Sequence, residues 1–423
     1  MSKLDELIAE LCPNGVEYKS LGEIATIARG GNFQKKDFCD RGVPCIHYGQ
    51  IYTKYGLFTD KTITFITEER AKKQKFAKTN DIIMAVTSEN IEDVCKCLAW
   101  LGNEDVAVSG HSAIISHNQN PKYLVYYFHS QMFFTQKRKL AHGTKVIEVT
   151  PDTLKSIKLP VPPLEVQREI VHILDSFTLL TAELTAELTA RKKQYEFYRD
   201  NLIKKEQHIS EVKKLADVAN IYDSLHQTPS YSNSGYSMVR VQDIKGGYLD
   251  EDKTLKVDES VWNLFTQKYT PRLNDIVVSR VGSYGNFALI PNDKCCLGQN
   301  VALIHPNINP KYLYHVLMST MTKQWINNNV KGASQKSFSL ADIKRVPVPV
   351  PKENIQQRIA EVLDNFEAIC TDLNIGLPAE IEARQKQYEY YRDLLLTFAE
   401  TGSTLMTDRQ TDRQTDRQTD RQS

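Results

Sequence analysis

Over two long stretches of this chain, apolar residues recur at alternating spacings of four and three. The first runs through Ile170, Leu174, Phe177, Thr181, Leu184, Leu188, Arg191, Tyr195, Tyr198 and Leu202. That spacing is a heptad seam, lightly interrupted by Thr181 and Arg191, and predicts a long helix that pairs with another. The second runs through Ile359, Leu363, Phe366, Cys370, Leu373, Leu377, Ile381, Arg384, Tyr388, Tyr391 and Leu395. It carries four extra residues between its anchors, and Gly376 and Pro378 sit there. A break is expected at that point, with Pro378 in the first turn of the restarted helix. The other seam is the natural partner for each; the alternative is that each helix packs on its own domain. An intramolecular antiparallel pair ~60 Å long would relate the two halves by a pseudo-twofold axis.

Outside the seams the pattern is mixed. Residues 15–160 and 211–347 carry short β-branched runs at 81–86, 106–115, 275–281 and 301–304, with helical segments at 122–138 and 311–327. Gly, Asn and Pro turns punctuate them. Each stretch is expected to be an α+β domain with a small twisted sheet. The resulting division is 1–163 first domain, 164–206 first helix, 207–351 second domain, 352–399 second helix and 400–423 tail.

The halves repeat one another in order. Gln194-Tyr195-Glu196-Phe197-Tyr198-Arg199-Asp200 is answered by Gln387-Tyr388-Glu389-Tyr390-Tyr391-Arg392-Asp393, and Ile173 to Phe177 by Val362 to Phe366. Leu159-Pro160-Val161-Pro162 matches Val348-Pro349-Val350-Pro351, and Asn120-Pro121-Lys122-Tyr123-Leu124 matches Asn309-Pro310-Lys311-Tyr312-Leu313. Asn80-Asp81-Ile82-Ile83 resembles Asn274-Asp275-Ile276-Val277, and Gly143 with Lys145 resembles Gly332 with Lys336. The copies differ most in their turns, as expected of one scaffold turned to related tasks on different targets. Two shorter repeats stand apart. Thr181 to Leu188 is Thr-Ala-Glu-Leu twice, which is either a good helix former or a ruler adjustable in steps of ~6 Å. Thr407 to Gln422 is Thr-Asp-Arg-Gln four times, without an apolar residue; a disordered tail is expected. A repeated ACAG tetranucleotide would encode it, and sequencing that end of the gene in many clones would test for slippage.

Composition narrows little. The 423 residues are 41% apolar and 25% charged, with net charge +1, so any polyanion would have to meet basic residues gathered locally. No run approaches the ~20 apolar residues of a membrane span, and the first residues do not read as a signal peptide. Eight cysteines without paired CxxC spacing are expected to be free thiols in a reducing cytoplasm, not zinc ligands. The chain has no GxGxxG, GxxxxGK[ST], HExxH or GxSxG, and ten histidines without ligand spacing. No catalysis and no metal are expected of it.

The turns do offer polar, basic and aromatic side chains suited to base edges and phosphates. In the first half these are Arg29, Gly30, Gly31, Lys35, Lys36, Tyr48, Gln50, Thr87, Ser88, Asn90 and Lys145. In the second they are Ser224, His226, Gln227, Arg240, Gln242, Lys245, Arg280, Ser283, Tyr284, Asn286 and Lys336. Taken singly, each is more often an ordinary surface residue, and the basic run 71–78 could be a solvated helix face. His111 and His117 are expected in or beside a strand, with a structural role.

These features together resemble the specificity subunit of a type I restriction–modification enzyme. The residues that carry the resemblance are the Leu159 to Gln167 lead-in, Ile170 to Phe177, the Thr-Ala-Glu-Leu pair and the two Gln-Tyr-Glu blocks. The resemblance implies two target recognition domains, each reading half of an asymmetric, interrupted double-stranded DNA site. It implies helices that space the domains and dock two methyltransferase subunits, with restriction/translocase subunits joining later in the cytoplasm. It favours the ruler reading of Thr181, Leu184, Thr185 and Leu188. It places S-adenosylmethionine, ATP and Mg²⁺ on other subunits, and none in this chain. A self-contained DNA methyltransferase would need a cofactor loop and an Asn/Asp-Pro-Pro-Tyr/Phe segment, which Asn120-Pro121-Lys122-Tyr123 is not. A purely structural coiled-coil scaffold, or an inactive orphan subunit, is the remaining alternative.

Overall fold

The computed structural model describes residues 2–244, 247, 249, 253–330, 336–372 and 375–401. Lys245, Gly332, the seam position Leu373 and the Thr-Asp-Arg-Gln array lie outside the described residues. The fold is α+β and duplicated, and the chain gathers into two compact units. One contains residues up to Glu183 and those from Glu382 on; the other is Leu184–Ile381.

In the first unit two five-stranded sheets lie against each other. One has the order Ala25–Arg29, Ser112–His117, Ile82–Ala85, Cys97–Trp100, Phe58–Thr59; the other has Phe38–Cys39, Thr64–Ile66, Val43–Ile46, Val106–Val108, Lys75–Ala77. Side-chain alternation explains the layers, because successive residues of a strand face opposite ways. Ile83, Ala85, Leu98 and Ile114 turn toward Ile46, Ala77, Val106 and Val108 of the other sheet. Their neighbours Ile82, Met84, Cys97, Ala99, Ala113 and Ile115 turn toward helices Pro121–Phe128 and Gln131–Leu140. The second unit repeats this with a four-stranded sheet (Ala219–Asp223, Val301–Pro306, Ile276–Ser279, Phe287–Leu289) and a three-stranded one (Leu255–Val257, Tyr236–Val239, Cys295–Leu297).

The expectation of a single small sheet per domain is thus corrected to two main sheets, accompanied by short two-stranded pairings. The run 106–115 is one strand in each sheet, joined by Ser109-Gly110-His111; tertiary pairing divides what composition makes continuous. The helical segments 122–138 and 311–327 are likewise each two helices, split at Ser130 and Ser319, whose hydroxyls cap the second helix of each pair. The basic run 71–78 does not form a helix face either. It leaves a one-turn helix at Ala71 and enters the strand Lys75–Ala77.

Equivalent local devices recur in both units. Asn80 and Asn274 both adopt left-handed backbone, φ 73° and 67°, a conformation that Asn tolerates well. The following Asp81 and Asp275 accept the backbone N–H of Lys78 and Arg272, each at 2.8 Å. Gln167 and Gln356 bridge Asn120 N–H to Pro162 O and Asn309 N–H to Pro351 O. These bonds anchor the start of each long helix to its own domain.

The first helix, Leu164–Ile209, is continuous over 46 residues, or ~69 Å at 1.5 Å per residue. It begins in the first unit and ends in the second. The second pathway runs the opposite way through Glu353–Thr371 and Leu377–Thr401. Within each unit the two helical segments that meet therefore run antiparallel. Pro378 is the second residue of the restarted helix. A Cβ on Gly376 would stand 2.6 Å from Asp372 O and 2.8 Å from Ala368 O, so only glycine fits that break.

The ends of the helices pack on the opposite repeat's domain. In the second unit Tyr195 and Ile203 join a core with Leu363 and Leu313, and Tyr198 meets Phe366 with ring centroids 5.6 Å apart. In the first, Tyr388, Leu395 and Phe398 join Ile170, Leu174 and Tyr126, and Tyr391 stacks on Phe177 at 5.3 Å. This accounts for the duplicated Gln-Tyr-Glu blocks. The Asp200 carboxylate accepts the first N–H of helix Thr320–Asn329 at 3.0 Å, and Asp393 that of Gln131–Leu140 at 3.1 Å. Helix N-termini expose unpaired N–H groups and favour negative charge. Because this end packs on a domain as well as on a helix, the buried face shifts to Tyr195, Arg199 and Ile203, while the seam residue Tyr198 is 43% exposed.

Candidate nucleic-acid interface

Each unit has an open cleft at one end of its paired sheets. In the first it is lined by Arg29, Asn32, Gln34, Tyr48, Ser109 and His111, among others. Its floor depends on Gly30 and Gly31, which run against the 108–112 backbone: Gly30 N–H donates to Ser112 O at 2.9 Å and Gly31 N–H to Val108 O at 2.7 Å. A Cβ on Gly30 would stand 2.1 Å from Ser109 O, so this approach is available only to glycine.

Arg29 crosses the cleft, donating from Nε to Gly110 O and from Nη2 to Glu148 Oε1, both at 2.8 Å. Tyr48 lies between two imidazoles, 4.5 Å from His47 and 4.9 Å from His111 between centroids. His47 is buried, and burial, reinforced by Lys35 and His111, pushes it down to about 4. It is therefore neutral at pH 7, and its Nδ1 accepts from Gly49 N–H at 3.2 Å. Lys35 and Lys36 are exposed on a short 3-10 turn, Ser88 is half-buried in a two-residue strand paired with Ile147, and Asn90 and Lys145 are exposed on bends. Two candidates are corrected. Gln50 is buried and accepts from His47 N–H at 2.9 Å while donating to Thr64 Oγ1 at 3.1 Å. Thr87 is buried too, with its hydroxyl 3.2 Å from His111 Nδ1. Neither is presented to a ligand, because a side chain alternating inward on a strand or capping a turn is spent internally.

The second cleft is lined by Thr228, Tyr231, Arg240, Gln242, Asn286, Gln299 and Asn300, with Ser283 at its rim. Arg240 is clamped by Asp243, Nε to Oδ2 and Nη2 to Oδ1, each at 3.0 Å. With its amide oriented to satisfy both groups, Gln242 accepts from the same guanidinium at 2.8 and 3.0 Å. Arg280 pairs with Asp223, which also meets His226 Nε2 at 3.2 Å. Asn286 Nδ2 donates to Ser283 O at 2.9 Å. Gln227 and Lys336 are exposed and Tyr284 half-buried outside the lining. Ser224 is a third correction: it is buried, equivalent in the repeat to Gly30, and supports the floor.

The cleft residues that sequence reasoning missed are Gln34 and His111 in one unit and Tyr231, Gln299 and Asn300 in the other. Aligning the repeats would have found one signal, the short turns Ser109–His111 and Gly298–Asn300 that follow equivalent strands. The Thr181, Leu184, Thr185 and Leu188 positions lie in the middle of the long helix, and the Glu183/Leu184 boundary of the units falls among them.

One polar cluster lies away from the clefts. His315, Asp364 and Glu367 hold ligand-type atoms within 4.8 Å of one another. Their atoms are already engaged. His315 meets Tyr195 Oη at 3.0 Å and Asp364 Oδ1 at 2.8 Å, Lys311 Nζ lies 2.5 Å from Asp364 Oδ2, and Tyr314 Oη donates to Glu367 at 2.9 Å. With Lys311 and Arg199 beside the two carboxylates, the charges balance internally, and the cluster fastens the Tyr195 end of the first helix. Among the described residues no helix is long and apolar enough to cross a membrane.

A family model described as the type I restriction modification DNA specificity domain matches residues 13–191 and again 209–383. The type I restriction enzyme EcoR124I/EcoR124II specificity subunit of Escherichia coli is 36% identical over 258 residues, 58% of this chain. The match spans 63% of that relative, less than two thirds of its length. A putative type I restriction enzyme specificity subunit of Haemophilus influenzae is 29% identical over 71% of this chain and 77% of its own length. A solved chain from work on complex assembly and conformational transition of the type I R-M system aligns with TM-score 0.55 at 16% identity, covering 92% of this chain and 98% of that one.

Proposed function

The chain belongs to the type I restriction–modification DNA specificity family, and on that premise we propose that it reads an asymmetric, bipartite DNA site, one half per cleft. The observation that supports this best is the pair of clefts on one backbone frame with unlike side chains. Two equal readers would carry equal linings; His111 in one and Gln299 with Asn300 in the other suit two different half-sites.

The long helices act as spacer and as docking surface for two methyltransferase subunits, to which restriction/translocase subunits add. Phe197 and Tyr390 occupy the same position in the two Gln-Tyr-Glu blocks and are 63% and 51% exposed, as anchors for two like partners would be. The Thr-Ala-Glu-Leu pair sets the distance between half-sites. The chain itself performs no reaction, and S-adenosylmethionine, ATP and Mg²⁺ belong to the other subunits of a cytoplasmic complex. To test this, the chain would be assembled with its methyltransferase subunits, and the positions methylated in randomised duplex DNA sequenced. An interrupted motif with unlike halves is expected; a palindromic motif, or methylation without a motif, overturns the reading.

A further inference from the structure

The two clefts share one backbone device. In the first unit the chain leaves one sheet at Val108, crosses through Ser109-Gly110-His111 and enters the other sheet at Ser112. In the second it leaves at Leu297, crosses through Gly298-Gln299-Asn300 and enters at Val301. Three backbone hydrogen bonds pin each crossing, and they correspond one to one. Ser109 N–H donates to Ile46 O at 3.1 Å, as Gly298 N–H does to Val239 O at 2.7 Å. Val86 N–H donates to His111 O at 2.9 Å, as Arg280 N–H does to Asn300 O at 2.8 Å. Gly30 N–H donates to Ser112 O at 2.9 Å, as Ser224 N–H does to Val301 O at 3.3 Å. A turn held this way loses little further freedom when a ligand binds, so its side chains are pre-positioned.

On this common frame the side chains differ. His111 is exposed, and its Nδ1 is steadied by Thr87 while its ring lies beside Tyr48. Gln299 is exposed and donates to Thr228 Oγ1 at 3.3 Å, and Asn300 adopts left-handed backbone, φ 61°. The nearby arginines are differently placed. Arg29, Arg240 and Arg280 are each paired with a carboxylate, and Arg29 also bonds the carbonyl of Gly110 inside the turn.

We infer that these two crossover turns are the specificity-determining elements, with His111 reading base edges of one half-site and Gln299 with Asn300 those of the other. Arg29 is a positioning residue that braces its turn through Gly110 O, while Arg240 and Arg280 are held by Asp243 and Asp223 beside the other turn. The inference rests on the DNA-reading function proposed above. An Asn or Gln amide matches the N6/N7 edge of adenine, and an imidazole offers one donor or acceptor to a purine edge.

The test uses the full chain assembled with its methyltransferase subunits on duplex DNA randomised at both half-sites. His111→Ala is expected to relax discrimination at one or two positions of a single half-site by roughly 5-fold, the low end of the range for a bidentate base contact, because an imidazole makes one bond. Gln299→Ala should do the same to the other half-site. In each case the untouched half-site keeps its consensus, which certifies folding within the same measurement. An unchanged consensus in both variants overturns the inference, as does relaxation of both halves together. Should His111→Ala lose all methylation, His111→Gln is expected to restore the consensus of the untouched half-site, and its failure to do so also counts against the inference. A wild-type complex that yields no consensus is a different result, and refutes the DNA-reading proposal itself.

Discussion

Tyr195 and Tyr388 occupy the same position in the two Gln-Tyr-Glu blocks, 7% and 8% exposed, yet their hydroxyls meet different surroundings. Tyr195 Oη lies 3.0 Å from His315 Nδ1 and 3.5 Å from Glu367 Oε1. Burial and the Glu367 carboxylate push its ionisation far up, so it stays protonated at any working pH. Tyr388 Oη has the Arg392 guanidinium nearby but no hydrogen-bond partner of normal geometry among the described residues. Changing either residue to Phe keeps the ring and its packing and removes only the hydroxyl. For Tyr195→Phe the loss leaves a buried imidazole nitrogen without its partner, which costs about 2 kcal/mol within the usual ~1–3. In a unit of this size that lowers the melting temperature of its transition by roughly 4–8 °C. Tyr388→Phe removes a buried hydroxyl that gains little from folding, so its effect should be clearly smaller, within about 0.5 kcal/mol of zero. Scanning calorimetry of both variants measures the contrast. Equal losses, or a larger loss for Tyr388→Phe, would refute the assignment of the network to one unit.

Three further outcomes are expected. Burial raises the Glu367 carboxyl above its ordinary range despite nearby His315 and Tyr314; a raised folded pKa contributes stability below the unfolded value of ~4.3 that is lost as pH rises through the folded value. Glu367→Gln should therefore flatten the pH dependence of melting just above pH ~4.3, and an unchanged slope would exclude Glu367 as its source. Gly30→Ala forces a Cβ to within 2.1 Å of Ser109 O and should destabilise the first unit by about 1–3 kcal/mol, with the first half-site lost before the second in methylation-motif sequencing. Deleting Thr185–Leu188 removes ~6 Å of helix and should shorten the spacer of the methylated motif; a constant spacer would sink the ruler.

The seams, the duplication, the helix break at Gly376–Pro378 and the polar turns were legible from residue order. Heptad spacing, glycine and proline act over a few neighbouring residues, so their consequences can be read locally. Three matters lay beyond that reach. The first domain has two main sheets because strand pairing, not composition, divides the run 106–115. Gln50, Thr87 and Ser224 look like surface polar residues in the chain but are buried by contacts made elsewhere, with Thr64, His111 and the backbone near Val301. His315 and Asp364 stand 49 positions apart, with no local signal that they meet. The linear sequence determined that there are two copies and where the helices run. Only the tertiary structure decided that each helix end closes the opposite copy's domain, since Asp200 and Asp393 find their helix N-termini across the repeat. It also decided which polar residues of the clefts are consumed in holding the frame and which are left to face a ligand.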